Sequence, residues 1–189
     1  YAALLGPISK AETKIELKNI NAVDMKRDCF AVTTAIQYDH PEYFWIRANG
    51  GLGWVVEEGA EEWSARVYYG FMPLAGCETL EKRVALQEEI EEVMADLQKQ
   101  TAGMTAVQKI IYWDNWLAEQ NAYNYGALST GLETSSYPWS VVGGLLPEYD
   151  PVCEGYARAF QVLCNKLNIP CVLVDGTAIS FLNDEPEDH

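Results

Sequence analysis

Between Thr13 and Ile20 the hydrophobic positions Ile15, Leu17 and Ile20 stand among charged residues, and this loose alternation predicts a short strand. The period then lengthens. Asp24 can cap a helix that carries Met25, Cys29, Phe30 and Ala35 inward. That helix must stop before Pro41, because proline disfavours helical geometry in the residue ahead of it. The aromatic group Tyr43-Phe44-Trp45 follows. Gly50-Gly51-Leu52-Gly53 reads as a turn, and the β-branched and aromatic residues of Trp54–Glu57 and Trp63–Tyr69 suit a hairpin whose strands are joined by an acidic loop. The glycine-rich turn does not read as a phosphate site, since no Lys-Ser/Thr pair follows it and no helix opens behind it.

Leu80, Val84, Ile90, Val93, Met94 and Leu97 recur at helical spacing and predict a long acidic packing helix from about Glu78 to Gln100. Gly103 breaks the chain. Thr105-Ala106-Val107-Gln108 then matches a capping box, which opens a helix bearing Val107, Ile110, Ile111 and Leu117. From Tyr125 to Pro151 the chain is rich in Gly, Ser, Thr, Pro and Tyr and reads as a long connection. Beyond it, Ala157, Phe160, Cys164 and Leu167 lie three or four apart, the apolar stripe of a helix that Asn168 and Pro170 end. Cys171 to Val174 is a continuous apolar run suited to a buried strand. These elements predict an α+β chain, with a smaller mixed α/β region over 1–103 and a core over 104–189.

Composition narrows the partners. With 49% hydrophobic and 12% aromatic residues, the chain can bury a sizeable core. Thirteen basic side chains face 28 acidic ones, for a formal charge of −15, and no Lys/Arg cluster could track a phosphate backbone, so nucleic acid is not an expected partner. The acidity reads as a solvated surface, with a docking face for basic substrates as the alternative. No apolar run approaches the roughly 20 residues that span a bilayer, and Tyr1 to Lys10 lack the basic start and apolar centre of a signal peptide. Cys29, Cys77, Cys153, Cys164 and Cys171 are odd in number and contain no CxxC pair, which argues against a zinc knuckle or a dense disulfide framework and leaves at least one free thiol. The acidic residues Asp184, Glu185, Glu187 and Asp188 lack an EF-hand pattern. No metal and no cofactor is expected, and these residues specify no oligomeric state.

The segment richest in chemistry surrounds Cys153. It places this thiol at or just before the first turn of a helix, where free amide hydrogens and the positive end of the helix dipole favour a thiolate. The same amides can hold the oxyanion formed when sulfur attacks a carbonyl. Glu154 opposes this by its charge, and Gly155 keeps the space near the sulfur open. On these grounds alone the commoner role for such a cysteine is that of a small buried hydrophobe.

The run Val152-Cys153-Glu154-Gly155-Tyr156-Ala157 with Phe160, followed by Leu167-Asn168-Ile169-Pro170 and Val174-Asp175-Gly176-Thr177-Ala178, resembles the Cys-x-Gly-Tyr-Ala helix and Gly-Ile-Pro-strand-Gly pattern of bacterial transglutaminase-like proteins. Asn168 stands where glycine is usual, and Asn also tolerates the left-handed geometry that ends a helix. The likeness covers about residues 150 to 178. It is fainter upstream, around Asp39-His40-Pro41-Glu42-Tyr43-Phe44-Trp45 and over the Gln108 to Tyr125 helix.

This resemblance implies a papain-like core, with the cysteine helix packed on an antiparallel sheet and a histidine and an aspartate on neighbouring strands. It implies attack of Cys153 on a peptide or protein amide, giving a thioester that water or an amine resolves. Of the two histidines, His40 reads as a capping or surface residue. His189 follows Cys153 at a separation that suits the family's histidine, and would take the thiol proton and later give it to the leaving amine; alternatively it ends a flexible acidic tail, 183–188. No aspartate-bearing strand follows His189, so the chain is expected to be part of a longer protein, with an incomplete catalytic apparatus as the alternative. Tyr123, Tyr137 and Trp139 are candidates for a second oxyanion donor or for ordinary packing. The expected function is thiol-dependent hydrolysis or acyl transfer, with peptide hydrolysis preferred over crosslinking. The alternative is a non-catalytic domain that binds a peptide, glycan or partner protein. The family is common in exported bacterial proteins, so the resemblance implies an extracellular or cell-surface location.

Overall fold

Local chemistry sets the ends of most elements. In the computed structural model, which describes residues 1–17, 25–46, 52–56, 65–130, 137–174, 176–179 and 186–188, the chain forms an α+β fold divided into two compact units, Tyr1–Val84 and Ala85–His189.

The first unit begins with α1 (Ala2–Ile8), a short helix that buries Leu4 and Ile8. Three antiparallel strands, β1 (Lys14–Leu17), β2 (Leu52–Val56) and β3 (Ala65–Gly70), form a sheet in the order β1-β3-β2. The register sets Ile15 opposite Tyr69 and Trp54 opposite Val67. The expected hairpin is present, with Leu52 and Gly53 inside β2 instead of in the turn. Asp24, Gly50, Gly51 and the acidic hairpin loop lie outside the described residues.

Between β1 and β2, α2 (Met25–Asp39) stops ahead of Pro41. Its inward face differs from the expected one. Thr33 and Ile36 are buried while Phe30 is 60% exposed. Burying a threonine is tolerable here because its hydroxyl is hydrogen-bonded to that of Tyr69.

The next helix, α3 (Leu80–Gln100), starts where Thr79 Oγ1 accepts the Lys82 amide at 3.3 Å. Just ahead of it, Glu78 accepts the Gly76 amide at 2.8 Å and the Lys82 ammonium at 3.1 Å. The backbone amides first, then Lys82, hold this carboxyl down at about 2. The apolar stripe of α3 is displaced from the predicted phase. Leu80 and Val84 are exposed, and the buried positions are Arg83, Leu86, Ile90, Met94 and Leu97. A buried arginine is what the periodicity could not register. Its Nη1 donates to the Cys77 carbonyl at 2.8 Å and its Nη2 to the Ala11 carbonyl at 3.0 Å, while the guanidinium lies 5.1 Å from the Trp45 ring centroid.

In the second unit the predicted capping box opens α4 (Ala106–Gln120). Thr105 Oγ1 accepts the Gln108 amide at 3.3 Å, and Gln108 Oε1 accepts the Thr105 amide at 2.9 Å. Trp113 and Leu117 face the core; Val107 and Ile111 are exposed. The stretch read as a long connection is largely folded. It holds α5 (Tyr125–Thr130), a 3-10 turn at Tyr137–Trp139, α6 (Val141–Leu145) and a second 3-10 turn at Pro147–Tyr149. Every residue from Val141 to Leu146 is buried.

The cysteine helix, α7 (Cys153–Lys166), packs against α6, α4 and the Tyr137–Trp139 turn. Its buried face is Gly155, Ala159, Gln161, Val162, Leu163 and Cys164, and of the predicted stripe Ala157 is exposed. Contact through glycine explains the difference. A Cβ on Gly144 would meet Ala159 Cβ at 2.5 Å and the Gly155 carbonyl at 2.7 Å, and one on Gly155 would collide with the Pro138 carbonyl. Small residues let the α6 and α7 backbones approach, so this face is not marked by large apolar side chains.

Asn168 ends α7 in the left-handed region, with φ 55°. Beyond it Cys171 to Val174 does not form the predicted buried strand, and Val172 and Val174 are 80% and 79% exposed. An apolar run is buried only where a neighbour covers it. The chain then forms β4 (Thr177–Ile179) and β5 (Pro186–Asp188), an antiparallel pair in which Thr177 faces Asp188. No helix among the described residues is long and apolar enough to cross a membrane.

Candidate active site

Cys153 is the first residue of α7, and its side chain is exposed. It is not the small buried hydrophobe that a cysteine in this position most often is. The preceding residue, Val152, is fully buried and its extended backbone brings the chain into the helix without a side-chain cap. The amides of the first turn are therefore not claimed by a capping side chain of Val152, and the Cys153 amide donates to Tyr123 Oη at 3.3 Å.

Tyr123 is brought there by a set of hydrogen bonds between residues 121–124 and 149–151. The Asn124 amide donates to the Pro151 carbonyl at 3.0 Å, and Asn124 Nδ2 donates to the carbonyls of Asp150 at 3.2 Å and Tyr149 at 3.4 Å. In return Asp150 Oδ1 accepts the Ala122 amide at 3.1 Å. Asp150 takes a positive φ of 41° with ψ 115°, outside the left-handed helical region. Burial pushes the Tyr123 hydroxyl above its ordinary range, and its hydrogen bond with the Cys153 side chain pushes it the same way. The phenol thus meets the first residue of α7 at its amide.

Around this pair stands a cluster of aromatic rings. Tyr123 stacks on Tyr156 with centroids 6.4 Å apart and meets Tyr125 at 4.9 Å. Tyr156 donates to the Asn121 carbonyl at 3.3 Å, and burial, then the Asp150 carboxylate, raises its hydroxyl pKa. Tyr125 is 75% exposed, which leaves this edge of the ring cluster open.

Glu154 is held by Arg158 one turn along, with Nε at 2.8 Å and Nη2 at 2.7 Å from the same carboxylate oxygen. That pairing offsets the negative charge next to the sulfur. Gly155 has a different role from the one expected. Its missing side chain admits the Pro138 carbonyl and Pro151 Cβ instead of clearing space around the thiol.

The other candidates are dispersed. Tyr137 sets its ring on Tyr149 at 4.8 Å, and Trp139 is half-buried at the end of its 3-10 turn. In the first unit the His40 amide donates to the Ile36 carbonyl at 2.8 Å, while its Nδ1 lies 2.9 Å from Glu42 and its ring stacks on Tyr43. His189, Asp184 and Glu185 lie outside the described residues, and Glu187 and Asp188 belong to β5. No group of three or more His, Cys, Asp or Glu side chains among the described residues is arranged to hold a metal ion. Sequence reasoning missed Asn124, Asp150 and Arg158. Only the Glu154/Arg158 spacing of four carried a signal. No protein-family model matches the chain, and no curated protein matches it.

Proposed function

We propose that the chain is a thiol-dependent acyl-transfer domain of the transglutaminase-like type, with a papain-like core, acting on peptide or protein amides and favouring hydrolysis over crosslinking. The observation that carries this reading is an exposed cysteine at the start of a 14-residue helix with a phenol hydroxyl on its own amide. Cys153 sulfur attacks the amide carbonyl, and its proton passes to His189, which delivers it to the departing amine. The oxyanion of the tetrahedral intermediate takes a hydrogen bond from the Cys153 amide, which leaves Tyr123 Oη to do so, and the freed Tyr123 hydroxyl turns to the oxyanion as the second donor. Water then adds to the thioester, releasing the acid and restoring the thiol.

Limiting iodoacetamide, followed by peptide mass spectrometry, tests the first requirement: Cys153 is modified ahead of the other thiols, and faster than in the urea-unfolded chain. Hydrolysis of a fluorogenic peptide-amide library, lost in Cys153→Ala, tests the second. A Cys153 that reacts no faster folded than unfolded sinks the catalytic reading. The exposed Tyr125, whose ring lies against Tyr123, favours a second reading, a domain that binds a peptide, glycan or partner protein without turnover. Retained peptide binding by Cys153→Ala, with no hydrolysis by the parent protein, would select it.

A further inference from the structure

Three tyrosine rings form a row beside the thiol. Tyr156 follows Cys153 by three residues along α7, the spacing of neighbours on a helix surface. Tyr123 stacks on Tyr156 at an interplanar angle of 12°, and Tyr125 packs against Tyr123 at 53°. Only the outermost ring is open to solvent, since Tyr125 is 75% exposed while Tyr123 and Tyr156 are half-buried.

The charges around this row do not balance. Asp150 is tied to it from two sides: its Oδ1 accepts the Ala122 amide at 3.1 Å, and its carbonyl accepts Asn124 Nδ2 at 3.2 Å. Its carboxylate also adds to burial in raising the Tyr156 hydroxyl. Glu148, two residues earlier, is exposed. Between residues 118 and 159 the sequence has one basic side chain, Arg158, and Glu154 holds it. No ion pair joins Asp150 or Glu148 to a basic group among the described residues.

We propose that Tyr125 and Asp150 form a subsite for an arginine side chain that the substrate carries beside the scissile amide, its guanidinium laid on the exposed Tyr125 ring and bonded to Asp150 Oδ2. This names a substrate class for the acyl-transfer site and rests on that reading. The arginine is recognised and does not react; the bond attacked is the amide next to it. Guanidinium suits both halves of the subsite, because it is planar, weakly hydrated, stacks on aromatic faces and forks onto carboxylates. The formal charge of −15 draws cationic peptides to the chain. A glycan would also stack on the ring, but it would leave the carboxylate charges uncompensated.

Calorimetric titration of Cys153→Ala with acetylated tripeptide amides ending in arginine or in citrulline tests the subsite without turnover. Citrulline keeps the shape and removes the charge. The arginine peptide is expected to bind about tenfold more tightly. Asp150→Asn, which keeps a side-chain oxygen for the Ala122 amide, should remove most of that preference, and Tyr125→Leu should lower it about 2- to 5-fold. Glu88→Gln removes an exposed carboxylate of α3 and should leave the preference unchanged, which separates the subsite from the general attraction of an acidic chain. Equal binding of the two peptides, no binding of either, or the same loss in Glu88→Gln as in Asp150→Asn overturns the proposal. The same tripeptides as fluorogenic amides, given to the parent protein, separate the two readings. An arginine preference in binding with no hydrolysis keeps the subsite as a peptide-binding site and removes acyl transfer, whereas hydrolysis with equal kcat/KM for both peptides keeps acyl transfer and removes the subsite.

Discussion

At one end of α7 a cysteine is exposed beside a phenol hydroxyl, and at the other a cysteine is only 1% exposed. The two side chains are chemically identical and share one helix. Position along the helix separates them: Cys153 lies among the amide donors of the first turn, whereas Cys164 lies near carbonyls, in the last turns and on the buried face. Reactivity in this unit is therefore a property of the helix ends and of what is folded against them, and cysteine content alone does not report it.

The sharpest way to break this contrast is to label both thiols. With limiting iodoacetamide, folded protein should modify Cys153 at least about 100-fold faster than Cys164, and unfolding in urea should bring the two together. Equal rates in the folded protein would remove the distinction.

Next in size is the packing that holds the reactive end in place. Gly155→Ala sets a Cβ against the Pro138 backbone and should destabilise the protein by about 1–3 kcal/mol in urea denaturation, despite the better helix propensity of alanine. Gly126→Ala serves as the contrast, because its Cβ would meet only Asn124 Oδ1 at an ordinary 3.5 Å; it should leave stability unchanged or slightly raised.

Alkaline titration probes the buried end. The Cys164 thiol is raised in the folded state, so unfolded chains lose its proton first. Its contribution to stability is complete below about pH 8.5 and is lost as pH rises through about 11. Cys164→Ala should flatten the fall in melting temperature across that window, whatever its effect at neutral pH.

Smaller still, Tyr123→Phe removes the hydroxyl that accepts the Cys153 amide, and should slow Cys153 alkylation by a few-fold, about the value of one hydrogen bond, while leaving Cys164 unaffected. Last, Arg158→Gln releases Glu154 and should cost about 0.3–0.5 kcal/mol of stability while slowing Cys153 alkylation slightly. An increase in rate would show that Arg158 does not offset the Glu154 charge.

How much of this was legible in the sequence depended on whether a feature is local. The Thr105–Gln108 capping box, the stop ahead of Pro41, the left-handed Asn168 and the placing of Cys153 at a helix start all follow from residues a turn or less apart, and the structure has each of them. The misread features depend on partners distant in sequence. Gly143 and Gly144 resembled a flexible connection, yet they belong to a buried helix whose glycines admit Tyr137, Pro138, Gly155 and Ala159. Arg83 broke the α3 pattern because three backbone carbonyls accept hydrogen bonds from its two terminal nitrogens. The Cys171–Val174 run was read as buried because its composition resembles that of an inner strand, but burial requires a covering neighbour as well as apolar side chains. At the site, the motif located the sulfur. It could not locate Tyr123, whose position depends on hydrogen bonds to residues 149–151.

Those hydrogen bonds also make the site's backbone a single kinetic object. The amides of Asn124, Ala122 and Val152 are protected by Pro151, Asp150 and Pro138 respectively, so no one of the three segments supplies its own acceptors. Their exchange with deuterated solvent should proceed through one shared opening, with similar protection factors across stretches that are far apart in sequence. A ligand seated on Cys153 would be felt by all three amides together, which makes slowed exchange at Ala122 a distant and label-free reporter of occupancy at the thiol.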